Sequence, residues 1–176
     1  FNGFVETTLQ ALHLVYAARM GVIPRITRRL NEAEREALTR SGAVFIFSVD
    51  ESGIKRWTDG LVWSPSRICG NFLVYREMSE RPPPRGHRRP PPHFDYYSND
   101  QEASSDFGVV KDGGLVKKTI TITIDGSDIH LVSYYTVADL EAGKLQTPAS
   151  RPDIMSLELS PRRFRTGGLR IPPRIE

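Results

Sequence analysis

The first apolar residues of the chain follow a helical period. They recur at steps of three and four positions, at Val5, Leu9, Leu12, Val15 or Tyr16, and Met20. Side chains at this spacing lie on one face of a helix, and Gly21 stands where such a helix would end. The pattern therefore predicts a first helix with one buried apolar stripe.

A second short helix is predicted after an extended segment. Pro24 opens a basic, extended stretch that ends near Leu30. Asn31 is followed three positions later by Glu34, which is the spacing of a capping box, in which each residue bonds the backbone of the other. Gly42 is the residue at which this helix is expected to stop.

β-Type patterns follow in the rest of the first half. Residues 43–48 form a β-type run, of which residues 44–47 are β-branched or aromatic. Residues 50–53 have turn chemistry, and residues 54–58 are expected to return as the second strand of a hairpin. Residues 68–76 form a further strand candidate. The first half is therefore predicted to contain both helices and strands.

The clearest hairpin lies in the second half. Residues 115–124 alternate, with Val116, Lys118 and three isoleucines on one face and Lys117 on the other. Asp125-Gly126 supplies the turn, and residues 130–136 return. Thr136 followed by Asp139 then predicts a short helix, which Gly143 would stop.

A proline-rich stretch separates the two halves. Six of the 13 prolines fall between residues 82 and 92, interspersed with arginines, and a polar run follows. Such a composition cannot bury enough apolar surface to offset the entropy of ordering, so a disordered linker is expected over 81–113. The predicted organisation is a first segment 1–80, this linker, a second segment 114–160 and a flexible basic arm 161–176.

Neither segment carries enough strands to build a sheet alone. One sheet that takes strands from both sides of the linker is therefore the simplest arrangement. The predicted fold class is α+β, with one mainly antiparallel sheet flanked by short helices.

Composition narrows the class of protein only slightly. The 176 residues are 39% hydrophobic and 26% charged, with no run of the ~20 apolar residues that a membrane span needs. The chain opens on Phe1 without a signal-peptide pattern, which suggests an excised domain. The lone Cys69 cannot form an internal disulfide and fits a reducing compartment.

The basic residues are mostly arginine. The net charge is +3, and the 24 cationic residues comprise 19 arginines and five lysines. The planar donor set of arginine suits phosphates, guanine edges and narrow minor grooves, so nucleic acid becomes a candidate partner. GC-rich coding is an equally good explanation of the same bias.

Catalytic and metal chemistry find little support. The four histidines and the single cysteine lie far apart, apart from His87 and His93 in the linker, whereas zinc needs close ligand pairs. No phosphate-binding glycine loop, dinucleotide fingerprint or nucleophile elbow occurs. No enzyme activity, metal or cofactor is therefore expected.

Residues 52–67 are dense in side-chain types that occur at interfaces. The core of this stretch is Lys55-Arg56-Trp57-Thr58-Asp59-Gly60, and Trp63-Ser64-Pro65-Ser66-Arg67 follows. The residues alone slightly favour the simpler interpretation, a hairpin that has two core tryptophans and ordinary surface charges.

This stretch closely resembles the signature of the WOPR-domain family of fungal transcription regulators. The resemblance extends to residues 1–8, 24–30, 115–119 and 130–135, and so covers most of the chain outside the linker and the arm. It implies two conserved parts with intermingled strands that bind A/T-rich duplex DNA in promoters. It also implies a nuclear regulator of morphogenesis, sporulation or virulence in a fungus.

Within this resemblance, specific residues are expected at the DNA. The main surface comprises Lys55, Arg56, Trp57, Thr58, Ser64, Ser66 and Arg67. Arg28 and Arg29 are expected nearby as phosphate clamps or as side chains inserted into a groove, and Arg56 as the reader of bases or of the minor groove. Trp57 is expected either to stack on a sugar or to pack in the core. Only one of Lys117 and Lys118 is expected to reach DNA, because neighbours on a strand face opposite ways.

Further contacts are expected from the C-terminal arm, and regulation is expected at Thr58. Arg162, Arg163 and Arg165 of the arm are candidate tethers to phosphates or the minor groove. Arg56 lies two positions before Thr58, a spacing that basophilic kinases accept, so phosphorylation of Thr58 is a candidate switch. Binding as a monomer is favoured, with other transcription regulators as further candidate partners.

A protein-interaction module is the rival hypothesis. In that case, the hairpins would display Trp57 and Trp63 to a peptide, and the proline-rich linker would dock adaptor domains. The two hypotheses differ in salt dependence, because only an interface with phosphates weakens steeply as salt rises.

Overall fold

The computed structural model describes residues 1–79 and 109–159, together with the backbone of residues 164–165. Most of the predicted linker, and Arg162 and Arg163 of the predicted arm, lie outside the described residues. Among the described helices, none has the length and apolar character that crossing a membrane requires.

Strands from both predicted segments form one sheet, as the sequence predicted. The strands are β1 (Val44–Ser48), β2 (Arg67–Cys69), β3 (Phe72–Arg76), β4 (Leu115–Ile124), β5 (Ser127–Thr136) and β6 (Phe164–Arg165). Their order is β1-β5-β4-β3-β2, every pairing is antiparallel, and β6 also pairs with β4. The predicted α+β class with one mainly antiparallel sheet is confirmed.

The β4–β5 hairpin at the centre of the sheet is also confirmed. Asp125 and Gly126 both have positive φ angles, of 51° and 82°, as a two-residue type I′ turn requires. This turn pairs Ile124 directly with Ser127, so β5 begins three residues earlier than the predicted His130.

The helices are short except for the first. Their bounds are α1 (Thr8–Arg19), α2 (Glu32–Leu38), α3 (Val49–Ser52), α4 (Val137–Glu141) and α5 (Pro152–Met155), with a 3-10 turn at Pro148–Ser150. The capping box of Asn31 and Glu34 at α2 and the Thr136 cap of α4 are both present, as predicted. However, α2 ends at Leu38, before the predicted stop at Gly42.

One face of the sheet, called the α1 face below, packs against the first helix. Ile120, Ile122 and Ile124 of β4 join Leu12 and neighbouring residues of α1 in one buried cluster. Because α5 lies on the other side of α1, the helix is buried on more than the single predicted stripe. Leu9 and Met20, which the period placed in that stripe, are instead 36% and 53% exposed.

The opposite face of the sheet, called the motif face, is covered in part by residues 54–63. The predicted second hairpin strand over 54–58 is wrong. Residues 49–52 form α3, and Gly53 ends it in the left-handed conformation at φ 73°, which turns the chain across the sheet. The outer edge of β1 is occupied instead by Ile26, whose amide donates to the carbonyl of Ile46 over 2.8 Å.

The residues that flank positions 80–108 on either side are hydrogen-bonded to each other beyond β3 and β4. The amide of Ser79 donates to the carbonyl of Val109 over 2.7 Å, and Met78 pairs with Val110. The predicted disorder through residue 113 is therefore wrong for 109–113, because these residues extend the backbone pairing of the sheet. In the predicted arm, the backbone of Phe164–Arg165 has regular structure because it pairs with β4.

Candidate nucleic-acid interface

Residues 54–63, named the motif loop here, border a groove on the motif face. This basic groove has a volume of about 250 Å³ and is lined by Phe47, Lys55, Arg56, Trp57, Tyr75, Lys117, Thr119, Thr121, His130 and Val132. Strands β1, β3, β4 and β5 contribute its floor through residues of one pleat face, and the motif loop forms its rim.

Trp57 anchors the motif loop to the sheet. Its ring stacks on Phe47 at 5.2 Å between centroids and lies 5.0 Å from Phe45. Its Nε1 donates a hydrogen bond of 2.8 Å to the hydroxyl of Tyr134. Of the two predicted roles for Trp57, the structure shows packing in the core.

The carboxylate of Asp59 joins the loop to the strands. It accepts hydrogen bonds from Trp63 Nε1 at 2.9 and 3.0 Å, from the hydroxyl of Tyr134 at 2.7 Å and from the amide of Leu61 at 3.0 Å. Its side chain is only 4% exposed. Burial opposes ionisation, but the bonds from Trp63 and Tyr134 and the charge of Lys117 outweigh it and lower the pKa of Asp59.

Lys117 lies between this carboxylate and the basic groove. Its Nζ is 3.4 Å from Asp59 Oδ2 and stands over the rings of Trp63 and Tyr75, at 4.6 and 4.8 Å from their centroids. Burial lowers the pKa of Lys117 despite the opposing effect of Asp59. With a side chain 13% exposed, Lys117 lines the groove and balances the charge of Asp59.

Lys55, Arg56 and Thr58 are presented outwards by this tethered loop. All are exposed, although Ile54 and Trp57 beside them are packed inwards. Within residues 1–79 and 109–159, the side chains of Lys55 and Arg56 make no hydrogen bond or ion pair. Arg56 also lines a second groove of about 320 Å³, together with Arg29 and Arg35.

Other residues predicted at the DNA have partners within the protein or lie elsewhere. Arg28 forms a bidentate pair with Glu34 at 2.8 and 2.9 Å, although its side chain is 67% exposed. The hydroxyl of Ser64 accepts a hydrogen bond of 2.9 Å from the amide of Arg76 in β3. Ser66 is exposed beside β2.

Arg67 and Lys118 lie on the α1 face rather than in the basic groove. Arg67 is opposite Val74 in the register of β2 and β3, and Val74 is opposite Lys118. Lys118 is 7% exposed, and its Nζ donates to the carbonyls of Val5 at 2.9 Å and Glu6 at 3.3 Å. Of the lysine pair, Lys117 is therefore the one on the groove side.

Sequence reasoning missed several groove residues. Tyr75, Thr119, Thr121 and His130 line the floor, and Arg35 lines the neighbouring groove. The alternation of β4 places Thr119 and Thr121 on the same face as Lys117, so the sequence itself contains this signal. The contribution of His130 depends on its pairing with Thr121, which follows from the two-residue turn.

Neither metal chemistry nor display of the tryptophans finds support in the geometry. Among the described residues, no group of three His, Cys, Asp or Glu side chains could hold a metal ion. The indole N–H groups of Trp57 and Trp63 both bond inwards. The second observation disfavours a hairpin that displays these rings to a peptide.

Known fungal regulators are similar to this chain in sequence. The model of the Gti1/Pac2 family matches residues 1–106 and 93–136. The global transcription regulator sge1 of Gibberella fujikuroi is 38% identical over 86% of this chain, and the cAMP-independent regulatory protein pac2 of Schizosaccharomyces pombe is 35% identical over 85%. The chain spans 56% of the length of the first of these relatives and 75% of the second.

The fold is also similar to that of a solved structure. A complex of the WOPR domain of Wor1 in Candida albicans with a 13-base-pair double-stranded DNA is similar, with a TM-score of 0.66 and 36% identity. The match covers 91% of this chain and 90% of that one. These similarities confirm the resemblance seen in the sequence: the chain belongs to the Gti1/Pac2 family.

Proposed function

We propose that this domain binds double-stranded DNA sequence-specifically as the DNA-binding part of a fungal transcription regulator, without catalytic activity. The observation that carries the proposal is the motif loop, which holds Lys55 and Arg56 exposed beside a basic groove while Trp57 and Asp59 fix its backbone. Support comes from the similar Wor1 domain, whose structure is a complex with duplex DNA.

The groove supplies both parts of DNA recognition. Lys55 of the basic groove and Arg29 of the neighbouring second groove would neutralise phosphates and so fix the position of the protein on the duplex, with Lys117 beside Asp59 in the floor. Arg56 would reach the base edges or a narrow minor groove, where A/T-rich DNA has its most negative potential. Because the loop is already held rigidly in the free protein, it loses little conformational entropy on binding, and more of the contact energy remains as affinity.

We assign the remaining predicted contacts to the margin of this surface. Thr58 and Ser66 are exposed and would donate to phosphates, whereas Arg28 would first have to leave Glu34. Arg165 and its neighbours Arg162 and Arg163 remain candidate tethers. The proposed setting is the nucleus, with promoter sites of morphogenesis, sporulation or virulence genes as targets and with other regulators as partners.

A salt-titrated binding assay tests this function. A duplex selected from a randomised pool, a scrambled duplex and the corresponding single strand are compared with the same protein. We expect the selected duplex to bind ~10³-fold more tightly than the scramble, with an affinity that falls steeply as salt rises. Weak and equal binding to all three nucleic acids would reject the proposal and return attention to a protein partner.

Phosphorylation of Thr58 is proposed as a switch of this surface. Thr58 is exposed and shares the second groove with Arg29 and Arg56. A phosphate of about −1.5 to −2 charge would repel the DNA backbone and occupy these arginines. We therefore expect Thr58→Glu to weaken DNA binding relative to Thr58→Val. Binding of the Glu variant as tight as that of the Val variant would remove the idea.

The segment between β3 and β4 is proposed to be dispensable for the fold. Because the Ser79–Val109 hydrogen bond and the Met78–Val110 pair close its ends, replacing 81–107 by a short Gly/Ser loop should leave the sheet intact. If loop closure is the only term that changes, a connection roughly fivefold shorter should add about 1.4 kcal/mol to the free energy of unfolding. Urea unfolding measures this change, and loss of cooperative unfolding would show that the segment belongs to the fold.

A further inference from the structure

His130 is the titratable group of the basic groove that the proposed interface has not yet used. It lies on β5, directly opposite Thr121 of β4 and Phe47 of β1. Its ring is half-buried, 5.2 Å from the ring of Phe47, and its Nδ1 lies 2.8 Å from the hydroxyl of Thr121. Within the described ranges, its Nε2 makes no hydrogen bond.

The groove that His130 lines also contains three cationic side chains. The motif loop contributes Lys55 and Arg56 to the same groove, and β4 contributes Lys117. β3 contributes the phenol of Tyr75, and β1 contributes only Phe47. On β5 itself, Asp128 is two residues away on the same face, and the other carboxylate of these elements, Asp59 of the motif loop, is paired with Lys117.

This environment favours the neutral ring in the free protein. Burial lowers the pKa of His130 from its ordinary value of 6.5, and the charge of Asp128 opposes this effect only in part. A phosphate in contact with the ring would reverse the balance, because a nearby negative charge favours the imidazolium. The ring of Phe47, which lies 5.2 Å from that of His130 at an interplanar angle of 34°, would also favour a charged imidazole.

We propose that His130 is a further DNA-contact residue, which donates from Nε2 to a backbone phosphate and takes up one proton from solvent as the complex forms. In the imidazolium both ring nitrogens are donors, so Nδ1 would bond the Thr121 hydroxyl while Nε2 bonds the phosphate. The Thr121 hydroxyl can donate or accept, and it therefore suits either state of the ring. This proposal rests on the proposed function, because it requires DNA in the groove.

The sign of the pH dependence follows from the proton uptake. Lower pH should strengthen binding between the pKa of His130 in the complex and its lower pKa in the free protein, by up to about tenfold per pH unit for one proton. Affinity for the selected duplex is therefore measured from pH 6 to 8 at constant ionic strength. Calorimetry in buffers of different ionisation enthalpy measures the number of protons taken up.

His130→Gln tests the assignment, because glutamine can hydrogen-bond but cannot become charged in this range. We expect the variant to bind with little pH dependence and with almost no proton uptake. The matched control is the double variant His87→Gln/His93→Gln, which removes the histidines of the proline-rich segment and should keep the wild-type slope. A His130→Gln variant with the wild-type slope and proton uptake would overturn the proposal.

NMR of the wild-type protein provides a test that does not depend on the variant folding. The ring signal of His130 is titrated in the free protein and in the complex, and its pKa should be higher in the complex. Equal values would overturn the role of His130 while leaving the proposed function standing. Failure of the wild-type protein to bind the selected duplex at any pH would instead reject the proposed function itself.

Discussion

Replacing Asp59 by alanine is expected to lower the free energy of unfolding by about 3–5 kcal/mol, the cost of removing one partner from a buried charged pair. The variant would leave the Trp63 N–H and the Tyr134 hydroxyl without their acceptor and Lys117 without its counter-charge. The loss would be a large fraction of the about 5–15 kcal/mol by which ordinary domains are stable. Urea unfolding followed by tryptophan fluorescence measures it.

Asp59→Asn separates the charge from the packing. The amide retains the size and one acceptor, but its NH2 group faces donors, so we expect a smaller loss than for alanine. A matched control is Asp112→Ala, which changes an exposed carboxylate in the turn before β4 and should alter stability by less than about 0.5 kcal/mol. An alanine variant at position 59 within 1 kcal/mol of wild type would show that the network adds no net stability.

The same carboxylate predicts a pH dependence of stability. Its pKa in the folded protein lies below the ordinary value of 3.8, so the unfolded state binds the proton more readily. The contribution of Asp59 is therefore complete above about pH 4 and is lost as pH falls through the lower, folded-state pKa. Wild-type protein should lose more stability than the Asn variant over this acidic range, and parallel curves would contradict the role of ionised Asp59.

The parts of the fold that the sequence predicted are those in which local chemistry determines the geometry. Asp125-Gly126 between alternating runs requires a two-residue turn, and the register of β4 with β5 follows from it. The caps of α2 and α4 are also local, because each involves residues three positions apart. The Thr7–Gln10 capping box of α1 has the same spacing and could have given its start.

The course of the motif loop could not be read from local pattern. A strand over 54–58 would need a free edge on β1, but Ile26 from a distant part of the chain occupies that edge. Ser48 also caps α3 and Gly53 ends it, so residues with turn chemistry form one turn of helix instead. Contacts distant in sequence therefore decide whether Ile54 and Trp57 continue a sheet or cover its face.

At the candidate site, too, the local sequence pattern predicts some features, and packing between distant segments determines the others. The alternation of β4 predicted that Lys117 and Lys118 point to opposite faces, which the structure confirms. It could not tell which face would be covered by α1, and so which lysine would be buried, because that depends on packing between segments more than 100 residues apart in sequence. The pairing of Arg28 with Glu34 likewise arises from the position of α2 relative to the preceding extended segment.

Arg56→Ala should have the largest effect on DNA recognition. Loss of a side chain that reads bases or the minor groove costs about 1–3 kcal/mol on the selected duplex, a roughly 5- to 150-fold loss of affinity, and much less on scrambled DNA. Arg56 is exposed, and within the described residues its side chain has no intramolecular bond to lose, so the fold should be unaffected. Equilibrium titrations with both duplexes give the two losses.

Arg56→Lys shows which property of Arg56 matters, and Arg19→Ala is the matched control. Arg56→Lys retains the charge but lacks the planar donor fork, so it should restore the salt dependence without restoring the preference for the selected duplex. Arg19→Ala removes an arginine that pairs with Asp125 at the end of α1, on the other face of the sheet, and should leave both affinities unchanged. Equal losses on the two duplexes for Arg56→Ala would make Arg56 a phosphate contact. The origin of sequence preference would then have to be sought at another exposed residue around the groove, because a contact with phosphate alone carries no base information.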